Sequence, residues 1–190
     1  MNPQEQLFRM PAEPLHRLFF AWLPAQDERR RLAALAQELR ARMPAVRWVD
    51  PRRHHMTLLY LGESPGPRES WIRMAREAGR RLRADAFALA PDRIAAFGNP
   101  RQPALALTCA QVPPAAAALG AALREAAARA GFTGLAGPPL HPHVTLGYAR
   151  GPATVDEAVA AVPLEVRGFH LLHGIAGAPD YQCLGEWRLS

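Results

Sequence analysis

The feature that most constrains this chain is a four-residue pattern that occurs twice. His55-Met56-Thr57-Leu58 and His143-Val144-Thr145-Leu146 both read His-x-Thr-Leu, and they lie 88 residues apart, one in each half of the 190-residue protein. Each copy follows a proline-containing turn and runs into an apolar stretch, which reads as a β-strand. Side chains alternate along a strand, so His and Thr at i and i+2 share one face while the intervening apolar residues face a core. Two such strands side by side place two imidazoles and two hydroxyls around one cleft. The bland reading is two ordinary strand histidines, since Thr is simply a good strand former. In a chain with seven His, the repetition argues against it.

The flanking segments echo the duplication. Arg17–Leu23 is a short apolar run ending at Pro24. Leu32, Leu35, Ala36 and Leu39 repeat at helical spacing within Gln26–Met43, which predicts an amphipathic helix stopped by Pro44. Arg47-Trp48-Val49 starts a strand before the first motif, which closes at Leu61-Gly62. A second helix is predicted over 69–82 and an Ala-dense one over 113–130, with Gly131 as its stop. Further strands are predicted over 87–94 and 104–110, then the second motif strand over 141–148. A short helix is predicted over 155–162, and strands over 165–175 and 181–189 flank a turn at Gly177-Ala178-Pro179-Asp180. A long helix precedes each motif strand, which predicts a duplicated α+β unit with the motifs meeting on a pseudo-twofold axis.

Composition narrows the chemistry. The 23 basic residues are all Arg; there is no Lys. That excludes a covalent lysyl-adenylate, a Schiff base and a Gly-x-x-x-x-Gly-Lys phosphate loop. The net charge of +6 favours polyanions, although an all-Arg composition also fits a coding bias. Arg-rich stretches at 28–42 and 68–83 suggest a basic rim for a nucleic-acid backbone, or plain solvated helix faces. Cys109 and Cys183 make no disulfide framework and read as reduced, half-buried strand residues. The N-terminus lacks a signal-peptide pattern and no apolar run reaches membrane-spanning length. The expectation is therefore a cytoplasmic, monomeric protein with no membrane partner.

Two imidazoles on opposite sides of a phosphodiester suit in-line displacement. One takes a proton from the attacking oxygen and the other gives one to the leaving oxygen. Histidine titrates near neutral pH and serves either role. Thr57 and Thr145, on the histidine face, can donate to the non-bridging phosphate oxygens. A metal site is the rival chemistry, but His54 points away from His55 in a strand and no Asp, Glu or Cys sits at ligand spacing. His16, His170 and His173 are expected on surfaces or strand ends.

These motifs resemble those of the 2H phosphoesterase superfamily, and within it the RNA 2′,3′-cyclic phosphodiesterases historically called 2′-5′ RNA ligases. Arg17-Leu18-Phe19-Phe20-Ala21 is similar to the family's first strand. Arg47-Trp48-Val49 with His55-Met56-Thr57-Leu58-Leu59-Tyr60-Leu61-Gly62-Glu63 is similar to its first motif region. Pro142-His143-Val144-Thr145-Leu146 resembles the second, and Tyr181-Gln182-Cys183-Leu184 onward its closing strand. The resemblance covers residues 17–189 and implies a bilobal α+β fold with two antiparallel sheets flanking a central cleft and helices outside. It divides the chain into an N-terminal extension over 1–16 and one bilobal domain over 17–190. It implies hydrolysis of 2′,3′-cyclic phosphate RNA ends, tRNA fragments among them, to 2′-phosphates without metal or other cofactor, with weak reverse ligation. It casts His55 as acid and His143 as base. The family often carries Arg five residues after the second His; here Tyr148 stands there, and Arg150 is the candidate replacement phosphate ligand. Phe19, Tyr148 and Tyr181 are candidate base-stacking residues. Rival readings are a phosphodiesterase for linear 2′-5′ oligonucleotides or small cyclic nucleotides, and a non-catalytic RNA-binding module.

Overall fold

Apolar alternation dominates this chain and the architecture follows from it. The structure, a computed structural model, describes residues 13–135 and 139–190. Most of the 1–16 segment, and Gly137 and Pro138 ahead of the second motif, lie outside the described residues.

The first half contains β1 (His16–Trp22), α1 (Gln26–Arg42), β2 (Val46–Trp48), β3 (Met56–Ser64), α2 (Glu69–Arg81), β4 (Phe87–Leu89) and β5 (Arg93–Phe97). The second contains β6 (Ala104–Thr108), α3 (Pro114–Arg129), β7 (His143–Ala149), β8 (Asp156–Ala158), β9 (Leu164–Val166), β10 (Gly168–Ile175) and β11 (Gln182–Arg188). One sheet has the order β11-β10-β1-β3, a second β2-β7-β6-β5-β8, and β4 pairs with β9 alone. Every pairing is antiparallel. The fold is thus α+β, with each motif strand in a different sheet.

The core faces follow the alternation. Met56, Leu58, Val144 and Leu146 are all buried, as expected for the positions between and after the motif residues. Phe20, Phe169 and Trp187 form an aromatic cluster with ring centroids 5.3–5.9 Å apart. Phe20 and Phe169 are fully buried, and each such side chain contributes about 1.5–3 kcal/mol. Helix α2 buries Ile72, Ala75 and Ala78 in this same core, so it covers the sheet face opposite Phe19, Ala21 and Leu172. Its arginines therefore do not rim the motif face. Arg80 and Arg81 instead pair with Glu77.

Helix α1 is tied at its start by Glu28, which is 3% exposed. Its Oε2 accepts the Ala25 N–H at 2.7 Å and its Oε1 accepts the Glu165 N–H at 2.5 Å. One carboxylate thus satisfies an orphan donor at the helix N-terminus and fastens it to β9. Gly131 ends α3 with a positive φ of 107°, a conformation glycine adopts without steric penalty.

Several expectations need correction. The 155–162 segment is not helical. Asp156–Ala158 forms edge strand β8 against β5, secured by the Arg93–Asp156 ion pair. The 87–94 strand is two, β4 and β5, in different sheets, because the chain turns at Pro91. The 165–175 strand breaks before Gly168 into β9 and β10. His173 is buried rather than superficial, with its Nε2 2.8 Å from His16 Nδ1 and the rings stacked at 4.9 Å. His170 sits half-buried within β10. Cys109 is buried and Cys183 exposed, both as free thiols. No helix among the described residues is long and apolar enough to cross a membrane.

His54 is fully buried, and neither ring nitrogen has a hydrogen-bond partner among the described residues. Burial, with smaller contributions from the charges of His55 and Arg29, pushes its pKa down to about 4. The folded state thus holds His54 neutral while the unfolded chain protonates near pH 6.5. Stability from this group is full above pH 6.5 and is lost as pH falls towards 4, by on the order of 3 kcal/mol. Thermal melts between pH 7.5 and 4 (roughly the titration window of the unfolded imidazole) should show that fall, and His54→Leu should flatten it. An unchanged slope in the variant would assign the pH dependence to other groups.

Candidate functional site

The first motif is positioned by the way the chain crosses between sheets. Strand β2 pairs with β7 through Val46↔Ala149, Arg47↔Tyr148 and Trp48↔Gly147. A 3₁₀ turn over Pro51–Arg53 follows, with Asp50 Oδ1 accepting the Arg52 N–H at 2.8 Å. The Arg52 guanidinium beside Asp50 holds that carboxyl down at about 2. The chain then enters β3 in the other sheet, carrying His55. Close passage of β2 over β7 depends on Gly147, where a Cβ would lie 2.5 Å from Val46 Cγ1.

Both motif histidines are restrained in the same way. His55 Nδ1 lies 2.8 Å from the Arg53 carbonyl oxygen, and His143 Nδ1 lies 2.8 Å from the His141 carbonyl oxygen. A carbonyl only accepts, so each Nδ1 carries the proton and donates it. Each Nε2 is left to accept a proton when the ring is neutral, or to donate one when it is charged. The two motifs thus present equivalent nitrogens.

Each imidazole is backed by an aromatic ring. His55 packs against Phe19 at 5.4 Å and edge-on against Tyr181 at 5.1 Å. Arg53 closes this cage, with Nη2 donating to Tyr181 Oη at 3.1 Å and Cζ 4.8 Å from that ring's centroid. His143 stacks on Phe97 at 5.2 Å and 17°. Behind it, Thr108 Oγ1 donates to the Pro142 carbonyl at 2.8 Å and accepts from His141 Nε2 at 2.9 Å. This network fixes the segment whose carbonyl holds His143. Burial lowers the pKa of His55; the Arg53 carbonyl opposes that, and the charges of His143 and Arg53 add to it. Burial likewise lowers His141.

The threonines lie where alternation puts them. Thr57 pairs with Ala21 on the face that also bears Phe19 and Leu172. Thr145 pairs with Ala106, which pairs with Ala95, so its hydroxyl stands over small side chains. Among the described residues neither hydroxyl has a hydrogen-bond partner. Thr57 of the first motif and His143 of the second line one cleft of about 500 Å³ with Tyr60, Arg124 and His141, while His55 and Thr145 are not among its lining residues. His55 is close enough to feel the charge of His143. Arg150 is exposed just beyond β7, its N–H bonded to the Ala45 carbonyl at 2.9 Å. It stands at the outer end of this face rather than beside the histidines. Among the described residues no group of three or more His, Cys, Asp or Glu side chains is placed to hold a metal ion.

A larger cavity, about 880 Å³, opens where β1, β10 and β11 end, lined by Trp22, His170, Glu186 and Trp187. It contains no motif residue, and two of its cations, Arg31 and Arg167, are engaged by Asp27 and Glu165.

Arg53, Phe97, Thr108 and the carbonyl of His141 were not singled out from sequence. The only advance signal was position: Arg53 and His141 each stand two residues before a motif histidine. Phe97 and Thr108 arrive through β5 and β6, whose register no local pattern reveals. Thr108→Val is expected to lower kcat about 10- to 100-fold through misplacement of His143, with KM little changed. Equal kcat in the variant would show that the network does not position the ring.

Comparison with known proteins places this geometry. The model of the 2′-5′ RNA ligase superfamily matches residues 29–175. No curated protein matches the chain in sequence. Among solved structures, Escherichia coli LigT complexed with 3′-AMP is similar at 29% identity and a TM-score of 0.72, covering 94% of this chain and 99% of that one. TT0787 of Thermus thermophilus is similar in fold at 23% identity and a TM-score of 0.68, covering 90% and 97%. Usb1 of Kluyveromyces marxianus shares the fold at 11% identity and a TM-score of 0.52, covering 91% and 98%.

Proposed function

The chain belongs to the 2′-5′ RNA ligase superfamily of 2H phosphoesterases, and we propose that within it the protein hydrolyses 2′,3′-cyclic phosphate ends of RNA to 2′-phosphates. The observation that carries this reading is the matched restraint of His55 and His143, each with Nδ1 bonded to a carbonyl two residues upstream and Nε2 without a partner among the described residues. A structure of LigT holds 3′-AMP, which supports a nucleotide phosphate as the ligand class here.

In the proposed reaction, water attacks phosphorus opposite the 3′ oxygen. One Nε2 takes the water proton as the new P–O bond forms. The P–O3′ bond breaks, the electron pair goes to O3′, and the other Nε2–H supplies its proton. Thr57 and Thr145 donate to the non-bridging oxygens as charge grows there. We assign the base to His55, because burial favours its neutral form and a base must begin neutral. His143 is then the acid, the reverse of the roles that family resemblance implies.

A short RNA ending in a 2′,3′-cyclic phosphate should turn over in EDTA, yielding a 2′-phosphate. His55→Ala and His143→Ala should each lower kcat by about 10²–10⁴-fold. Full turnover by both variants would sink the reaction as written. Turnover only of linear 2′-5′ dinucleotides or small cyclic nucleotides would move the substrate within the superfamily. The lowered pKa of His55 places the acid limb of the kcat/KM profile below pH 6.5, rate falling as that ring protonates.

The two roles separate with a substrate whose 3′ bridging atom is sulfur, a leaving group that needs no acid. This substrate should restore most of the activity of His143→Ala and none of that of His55→Ala. Rescue of His55→Ala instead would exchange the roles.

A further inference from the structure

The face of the β2-β7-β6-β5 sheet that bears His143 and Thr145 carries a cation that the motifs do not account for. Strand β7 has a bulge: Thr145 pairs with Ala106, but Gly147 pairs with Leu105, leaving Leu146 as the extra residue. A bulge of one residue shifts the alternation. Val46, Ala149 and Leu105 line a cavity on the opposite face, so Tyr148 turns to the face of Thr145 and becomes its next neighbour along the strand. Across the sheet the row reads Phe97, Ala104, Tyr148, Arg47. Phe97 reaches over the alanines to stack on His143, and Arg47 ends the row beside Tyr148.

The Arg47 guanidinium carbon lies 5.1 Å from the Tyr148 ring centroid. Arg47 is exposed, and no carboxylate among the described residues lies within ion-pair distance of it. Many of the other arginines are neutralised: Arg17, Arg31, Arg42, Arg52, Arg80, Arg81, Arg93 and Arg129 all pair with acids. A guanidinium left unpaired but steadied on an aromatic face keeps its donors for a planar or tetrahedral anion. Tyr148 thereby acts through Arg47 as a brace.

We propose that Arg47, braced on Tyr148, is a phosphate-binding residue on the sheet face that bears His143 and Thr145, beside the cleft and delivered from the neighbouring strand rather than from β7 itself. Resting on the function proposed above, it takes either the terminal cyclic phosphate or the adjacent backbone phosphate of the same RNA. Both present the same anion chemistry. Arg150, exposed beyond the strand end with no ring beneath it, makes the natural comparison.

The test uses the full chain with Arg47→Gln, Tyr148→Leu and Arg150→Gln. Binding of a fluorescently labelled RNA with a 2′-phosphate end is measured against salt, alongside turnover of a cyclic-ended RNA and of a 2′,3′-cyclic mononucleotide. Arg47→Gln should weaken RNA binding about 10-fold, and its plot of log affinity against log salt should lose a slope of about 0.7, the loss of one phosphate contact on a single strand. Tyr148→Leu should give a smaller loss with the slope retained, and Arg150→Gln less than either. A raised KM for the RNA with the mononucleotide untouched identifies the backbone phosphate. A fall in kcat/KM for both identifies the terminal one. Unchanged binding and slope in Arg47→Gln would overturn the proposal. If wild type hydrolyses neither cyclic substrate, the proposed function fails, while the binding and salt arms still decide the role of Arg47.

Discussion

Three residues of β2, hydrogen-bonded to β7, govern the relation between the two motifs. Residues 46–48 belong to one sheet and residues 56–64 to the other, so residues 49–55 must carry the chain across. The register Trp48↔Gly147, with the Val49 N–H on the Leu146 carbonyl at 2.9 Å, pins the departure point next to the second motif. The capped turn after Asp50 then sets where His55 emerges. Had β2 paired with β1 or β3 instead, each motif would lie in a self-contained half with no reason to meet the other. Gly147 permits the pairing because any side chain there would collide with Val46. Only then do the carbonyls of Arg53 and His141 matter, since each holds the Nδ1 edge of its imidazole and leaves the Nε2 edge for substrate.

Much of this was legible in sequence because the motifs are long enough to show period two. The burial of Met56, Leu58, Val144 and Leu146 follows from alternation alone, and the three helices fall within a residue or two of their apolar spacing. What alternation cannot show is a bulge, which depends on the partner strand. Strand β3 has two irregularities against β1 and β7 has one against β6. The last of these turns Tyr148 to the sheet face of Thr145, where Arg47 packs on its ring. Arg150 is a candidate cation by its place in sequence; Arg47 reaches Tyr148 only because β2 pairs with β7.

The remaining errors share a cause. Residues 155–162 have the Ala and Glu content of a helix, yet an unpaired edge on β5 and an ion pair from Arg93 make Asp156–Ala158 a strand. Tertiary pairing overrides a weak local preference. His173 reads as a surface residue until β1 brings His16 over it. Arg53, Phe97 and Thr108 do their work through atoms that no motif records, namely a carbonyl, a ring face and a hydroxyl. Such supporting groups are selected by geometry, and many residue types at those positions would look equally ordinary in sequence.

The same pairing explains how a nearly symmetric site can run asymmetric chemistry. Both imidazoles have the same tautomer, and both lean on a phenylalanine from another strand, Phe19 of β1 beside β3 and Phe97 of β5 two strands from β7. They differ in enclosure. His55 follows a tight turn and is boxed by Phe19, Tyr181 and the charged Arg53, whereas His143 stands at the start of β7 beside the open cleft. Enclosure disfavours the charged form of the His55 ring, so the two sides of the site differ in their walls although the rings are held alike. The proposed assignment of base and acid therefore rests on the walls around each ring rather than on the motif: the repeat supplies matched geometry, and the turn after β2 supplies the difference.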